Sequence, residues 1–238
     1  MTASPRVVFV HALDTGAGDG FVADAAIAAE LDCTALCVAT SVVTPEPLPL
    51  NVVARQLEAA VSAGPIGAIR IGFIRGAPQA ELLAHTAQRH PLVPAVLASP
   101  MRAGTSPLID AETRDAMVRF LFPAARVVVV RAAELASVAG REVDDLEGLR
   151  DGAARIRGQG AKAVVIAGWP WRGRVLDLVD DAGHVVLLDT ARVQAPRVPG
   201  LAGAYAAALT AHLARGLALP DAADAAQRYI GFRLLRGR

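Results

Sequence analysis

Val7-Val-Phe-Val-His-Ala-Leu-Asp-Thr-Gly-Ala-Gly-Asp-Gly-Phe-Val-Ala-Asp24 decides how this chain is read. The unbroken apolar run Val7–Val10 suits a strand covered on both faces. Gly16, Gly18 and Gly20 then supply the positive φ angles and close backbone approach of a tight turn, and a helical pattern starts at Phe21. Strand, glycine turn and helix in that order make a βα unit, and the unpaired N–H groups at the helix start can hold an anion or a polar ligand. A plain glycine-rich crossover turn would look the same, because α/β folds need such turns whether or not anything binds there.

The pattern repeats along the chain. Short apolar runs at Ala35–Val38, Ala68–Ile71, Ala95–Ala98, Arg126–Val130, Ala163–Ile166 and Val185–Leu188 alternate with helix-length segments. These segments are Phe21–Leu31, Asn51–Ala63, Gln79–His90, Ala111–Phe122, Leu146–Gly158, Gly203–Arg215 and Ala222–Leu235. The alternation predicts an α/β fold with a mainly parallel sheet and helices on both faces. Trp169–Gly183, followed by Val185–Val193, reads as an antiparallel hairpin extending one edge. Three prolines between Thr40 and Leu50 predict a loop over one end of the sheet.

With 238 residues and 53% hydrophobic content, one domain spanning 1–238 is expected. A net charge of +1 without a Lys/Arg run leaves no electrostatic footprint for nucleic acid or an anionic membrane. Apolar runs of four to eight residues are too short to cross a bilayer, and no basic segment followed by an apolar stretch opens the chain, so a cytoplasmic protein is expected. Cys33 and Cys37 lack the His or Cys partners of a zinc site and read as small buried apolar residues.

Taken together, these segments resemble the hydroxymethylpyrimidine/phosphomethylpyrimidine kinases of thiamine biosynthesis, within the ribokinase superfamily. The landmarks are Gly18-Asp-Gly-Phe-Val-Ala-Asp24, Gln56-Leu-Glu58, Ile71-Gly-Phe73, Ser99-Pro-Met101, Pro107-Leu108, Ala133-Glu-Leu135 and the small-residue helix from Gly203. The resemblance implies a ribokinase-like three-layer sandwich, a homodimer, and an ATP- and Mg2+-dependent kinase acting on an aminopyrimidine-like small molecule. It also implies a substrate side at Gly18, Asp24, Val42 and Phe73, with Asp24 accepting from the aminopyrimidine, and a nucleotide or anion side at Gly168, Gly200, Ala202 and Gly203. Helix position alone offers Asp24 another role, as an acid favoured near the positive end of a dipole.

The chain departs from the family where the chemistry is done. Phosphoryl transfer needs a base, an anion hole and charge neutralisation, since its catalysis is mainly positioning and electrostatics. The family's Gly-Thr-Gly followed by Cys or Asp aligns with Gly200-Leu-Ala-Gly203, leaving Gly203 at the catalytic position with no side chain to take a proton. The acid before the Pro-Val-Met-like segment is Ser99, the asparagine of the Asn-x-x-Glu magnesium motif is Arg131, the lysine before Gly168 is Ala167, and the polar pyrimidine-lid residue is Val42. Only Glu134 remains to contact a metal, a weak anchor for Mg2+. The reading is therefore a pseudokinase that binds a ligand or regulates, with an active kinase using substitute groups as the alternative.

Other residues have more than one reading. Thr15-Gly-Ala-Gly-Asp-Gly-Phe21 is similar to the anion-hole signature of sugar kinases, but Asp19 follows the first strand rather than most of the sheet and reads as a helix N-terminal acid. His11 is a ligand contact or a strand-end histidine. Trp169 and Trp171 are ligand-stacking rings or exposed packing on the edge hairpin. A dinucleotide-binding role for Gly16–Gly20 lacks the acidic residue near Val38 that would take a ribose.

Overall fold

In the computed structural model, which describes residues 4–13, 20–42, 46–103, 106–140, 144–193 and 200–236, the apolar runs form one eight-stranded sheet. Its strands are β1 (Arg6–Leu13), β2 (Thr34–Val42), β3 (Ala68–Ile71), β4 (Ala95–Leu97), β7 (Val127–Arg131), β8 (Ala163–Trp171), β9 (Arg174–Asp181) and β10 (His184–Ala191). A separate two-stranded hairpin pairs β5 (Arg102–Ala103) with β6 (Ser106–Pro107). The order across the large sheet is β10-β9-β8-β7-β4-β3-β1-β2. All pairings from β2 to β8 are parallel, and β8-β9-β10 is an antiparallel meander at the opposite edge, as the hairpin pattern predicts.

Alternate residues of each strand feed two cores. Val8, Val10, Ile69, Ile71, Val128, Val130, Val164 and Ile166 face α2 (Leu50–Ser62), α3 (Ala77–Arg89) and α7 (Leu146–Gly158). Val7, Phe9, Ala68, Val96, Val127, Ala163 and Val165 face α1 (Phe21–Glu30), α8 (Leu201–Ala214) and α9 (Leu219–Leu235). Each strand is apolar on both faces because helices cover both. The result is the expected three-layer ribokinase-like α/β fold.

Helix bounds follow local chemistry. The starts of α3 and α9 lie two and three residues ahead of the positions expected from periodicity, because Pro78 and Pro220 occupy first-turn positions where a missing N–H costs nothing. Asp145 caps α7 by accepting from Gly148 N at 2.7 Å. The segment expected as one helix over Ala111–Phe122 is α4 (Ala111–Ala116), a π turn at Met117–Leu121 and α5 (Phe122–Ala124). A short 3-10 turn (Ala132–Glu134) and α6 (Leu135–Ala139) after β7 were not anticipated, since five residues carry too little periodicity to register.

Three expectations need correction. Strand β2 runs on to Val42, with Ser41 bridging Pro47, so the segment assigned to a loop begins as sheet. Cys37 is exposed rather than buried, because β2 is the edge strand. Trp169 is buried, only 6% exposed, and stacks on Trp171 with ring centroids 4.7 Å apart; the stack packs into the core and is not a surface feature.

Candidate functional site

Parallel strands all end at one edge of the sheet, and in open α/β sheets ligands bind outside those carboxyl ends. Val42 closes β2, Phe73 follows β3, Ser99 follows β4, Glu134 follows β7, and α8 opens at Gly200 after a strand that runs the same way as β8. Gly18 and Asp19 fall outside the described residues. Val42 is 41% exposed, so its side chain is open at the end of the edge strand.

Phe73 is buried, and its carbonyl accepts from Thr40 Oγ1 at 2.7 Å. Gln79 Nε2 donates to the Thr40 carbonyl at 3.0 Å, and Gln56 brackets Ala39, accepting from its N at 3.0 Å and donating to its O at 3.1 Å. Two side-chain amides thus tie the end of β2 to α2 and α3, and the Thr40 hydroxyl ties it to the residue after β3. His11 is 4% exposed at the end of β1 and lies against Gly72, where an added Cβ would stand 1.9 Å from the imidazole Cδ2. Only glycine fits between that ring and β3.

Asp24 sits one turn into α1, but its carboxylate points into the sandwich. Its Oδ2 is ion-paired with Arg70 of β3, and both side chains are 1% exposed. Arg70, in the middle of the otherwise apolar run Ala68–Ile71, went unremarked in the sequence. A charged residue inside a run that must be buried on both faces is the signal that could have found it, since such a charge needs a partner.

Glu134 is similarly engaged. It is 4% exposed, accepts from Met101 N at 3.1 Å, and is ion-paired with Arg131, the residue standing at the family's asparagine position. Among the described residues no group of three or more His, Cys, Asp or Glu side chains could hold a metal ion. At the family's metal position the described carboxylate, Glu134, is paired with a guanidinium. The buried Ser99 Oγ finds no hydrogen-bond partner among the described residues.

The residues that the resemblance assigns to a nucleotide side are backbone elements. Gly200 is left-handed at φ 72, as only glycine readily permits, and turns the chain into α8 without any side-chain cap. Ala202 and Gly203 lie in the first turn of α8, where N–H groups have no helical acceptor. Gly168, with φ 80, lies in an irregular step of β8, between the pairs Ile166–Leu178 and Trp169–Leu176, so that Ala167 and Gly168 together face Asp177.

Asp177 is the residue that sequence reading missed here. It is 2% exposed, accepts from Gly168 N at 2.7 Å, and is approached by Tyr205 of α8 and Gln227 of α9. It joins the bulge at Gly168 to the helix that begins at Gly200–Gly203. Burial raises its pKa from 3.8 to about 6, with the Gly168, Tyr205 and Gln227 contacts pulling the other way. Between those two values the folded chain holds a proton that the unfolded chain has lost, so this group's contribution to stability grows as pH falls through 6 and is lost as pH rises. Above pH 6 the buried charge costs on the order of 3 kcal/mol. Asp177→Asn is expected to raise the denaturant midpoint at pH 7.5 and to flatten its change between pH 4 and 6. Unfolding curves at both ends of that window check it, and an unchanged pH dependence would refute it.

Comparison with known proteins shows the family and the fold. The sequence profile of the phosphomethylpyrimidine kinase family matches residues 14–235. A putative pyridoxine kinase of Staphylococcus aureus is 28% identical over 99% of this chain and 90% of its own length. A hydroxymethylpyrimidine/phosphomethylpyrimidine kinase of Mycobacterium bovis is 28% identical over 95% of this chain and 86% of its own. The solved pyridoxal kinase of Staphylococcus aureus in complex with AMP-PCP superposes with a TM-score of 0.88 at 27% identity, covering 98% of this chain and 88% of that one. The same kinase has also been solved with AMP-PCP and pyridoxal together.

Proposed function

Because the chain belongs to the phosphomethylpyrimidine kinase family, we propose that it binds a small heteroaromatic ring of the aminopyrimidine or pyridoxal class at the carboxyl ends of its strands without transferring phosphate to it. The observation that carries this reading is the ion pair between Arg131 and the buried Glu134. A carboxylate whose charge is already balanced by a guanidinium gives a divalent cation little to neutralise. Gly203 adds no base and Ala167 no cation, so the groups that would compensate charge in a phosphoryl-transfer transition state are missing together.

What remains is suited to binding. The uncapped start of α8 offers backbone N–H groups to a phosphate. Gly18, Val42 and Phe73 would border the ring, while Asp24, through Arg70, fixes the start of α1 beside it. Family relationship further suggests a homodimer working in the cytosol.

A second reading is an active kinase using substitute groups, and it draws on the near full-length match to relatives named as kinases. Calorimetry with hydroxymethylpyrimidine, pyridoxal and AMP-PCP separates the two when paired with an ADP-release assay. Saturable binding of a ring ligand without ADP formation is expected. Absence of binding by any of the three would sink the proposal, and ligand-dependent ADP release at an ordinary enzymatic rate would establish the second reading.

A further inference from the structure

Residues 111–124 form a continuous helix broken by the π turn at Met117–Leu121, where Phe122 N donates to the Met117 carbonyl five residues back. Pro123 accounts for the wide turn. It has no N–H, and its ring crowds the carbonyl of Arg119 four residues earlier, so regular helical bonding cannot run through it.

The turn re-aims side chains. In a regular α-helix, at about 100° per residue, Arg114 and Arg119 would stand about 140° apart around the axis. The first steps of the wide turn lie between them and lessen that angle, and the two side chains reach one cavity. Both line an open cavity of about 270 Å3, together with the acidic Asp115, Ser137 of α6, Gln159 at the end of α7, and the apolar Met101 and Phe122. Among the described residues Arg114 is held by its exposed neighbour Asp115 at 3.4 Å, with the two side chains 45% and 73% exposed, a pairing that an incoming anion can displace. Arg119 lies over the Phe120 ring, 5.0 Å from its centroid.

We infer that this cavity is a second ligand site, separate from the strand-end crevice, for a small carboxylate or phosphate ester carrying a ring-sized apolar body. The two guanidinium groups meet the anion, Ser137 and Gln159 supply further polar contacts, and Met101 and Phe122 take the apolar part. Occupancy also reaches the first site. Met101 lines the cavity, and its N–H donates to Glu134 Oε1 at 3.1 Å, so a ligand pressing on Met101 acts on the carboxylate paired with Arg131.

The test is calorimetry on the full chain with benzoate, phenyl phosphate and the neutral analogue benzyl alcohol, together with amide spectra that follow Met101. One of the two anions is expected to bind at least about tenfold more tightly than benzyl alcohol, and the better one identifies the headgroup. Arg114→Gln and Arg119→Gln are each expected to weaken it at least about tenfold, Arg119→Lys to restore part of the loss, and all three variants to keep the parent's thermal midpoint. Equal binding of all three probes, no binding of either anion at millimolar concentration, variants that bind like the parent, or competition by pyridoxal for the same site would each overturn the inference.

Discussion

Asp24→Ala is expected to destabilise the protein by about 3–5 kcal/mol, the usual cost of removing one partner from a buried ion pair and leaving the other charge uncompensated. Arg70 is 1% exposed and lies between Phe9 and Val96 in the sheet, so no relaxation brings water to its guanidinium without opening the α1 layer. For a chain of this size the loss corresponds to a fall of about 6–20 °C in thermal midpoint. Arg70→Met alone should cost a similar amount by stranding the carboxylate. The double variant Asp24→Leu with Arg70→Met removes both charges, and it should recover most of the stability, because a buried pair replaced by apolar groups of similar volume is often neutral. Denaturant unfolding of the four proteins checks this. A double variant no better than the sum of the singles would show that the pair is not the unit of stability. A loss of ring-ligand binding in Asp24→Ala therefore has to be read against its folded fraction before it is assigned to contact with the ligand.

The second large effect concerns rate. A missing general base costs about 10²–10⁴, and one missing stabiliser of transition-state charge costs about 10²–10³. On the proposed reading Gly203 supplies no base and Ala167 no cation, while Arg131 is paired with Glu134, so ADP formation with hydroxymethylpyrimidine or pyridoxal should lie at least about 10⁴-fold below a median enzyme turnover of about 10 per second. The combined variant Gly203→Cys, Ala167→Lys and Arg131→Asn supplies a base, a cation and an uncovered carboxylate. It should raise ligand-dependent ADP release at least about 100-fold over the parent, more than any single change, because groups that act as a unit are strongly non-additive. A parent that already turns over near 10 per second, with Asp24→Asn abolishing it, would overturn the pseudokinase reading.

The sequence by itself determined the layers. Runs such as Val127–Val130 are apolar on both faces, helices such as α2 and α7 carry a stripe that registers as periodicity, and the polar, Trp- and Gly-containing stretch after Ile166 marked where the parallel sheet gives way to an antiparallel edge. Those are properties of neighbouring residues, and local sequence records them. That Gly203 and Ala167 stand at the catalytic positions is part of the proposed reading and comes from the sequence resemblance alone. Partnerships were not legible. Asp24 meets Arg70 across 46 positions, and Asp177 meets Gly168, Tyr205 and Gln227 from three different elements. Periodicity says which face a residue presents and nothing about what stands opposite. The π turn belongs to this second group too: Pro123 signals an interruption, but only the packing of α4, the π turn and α5 on α3 decides that the helix widens rather than ends.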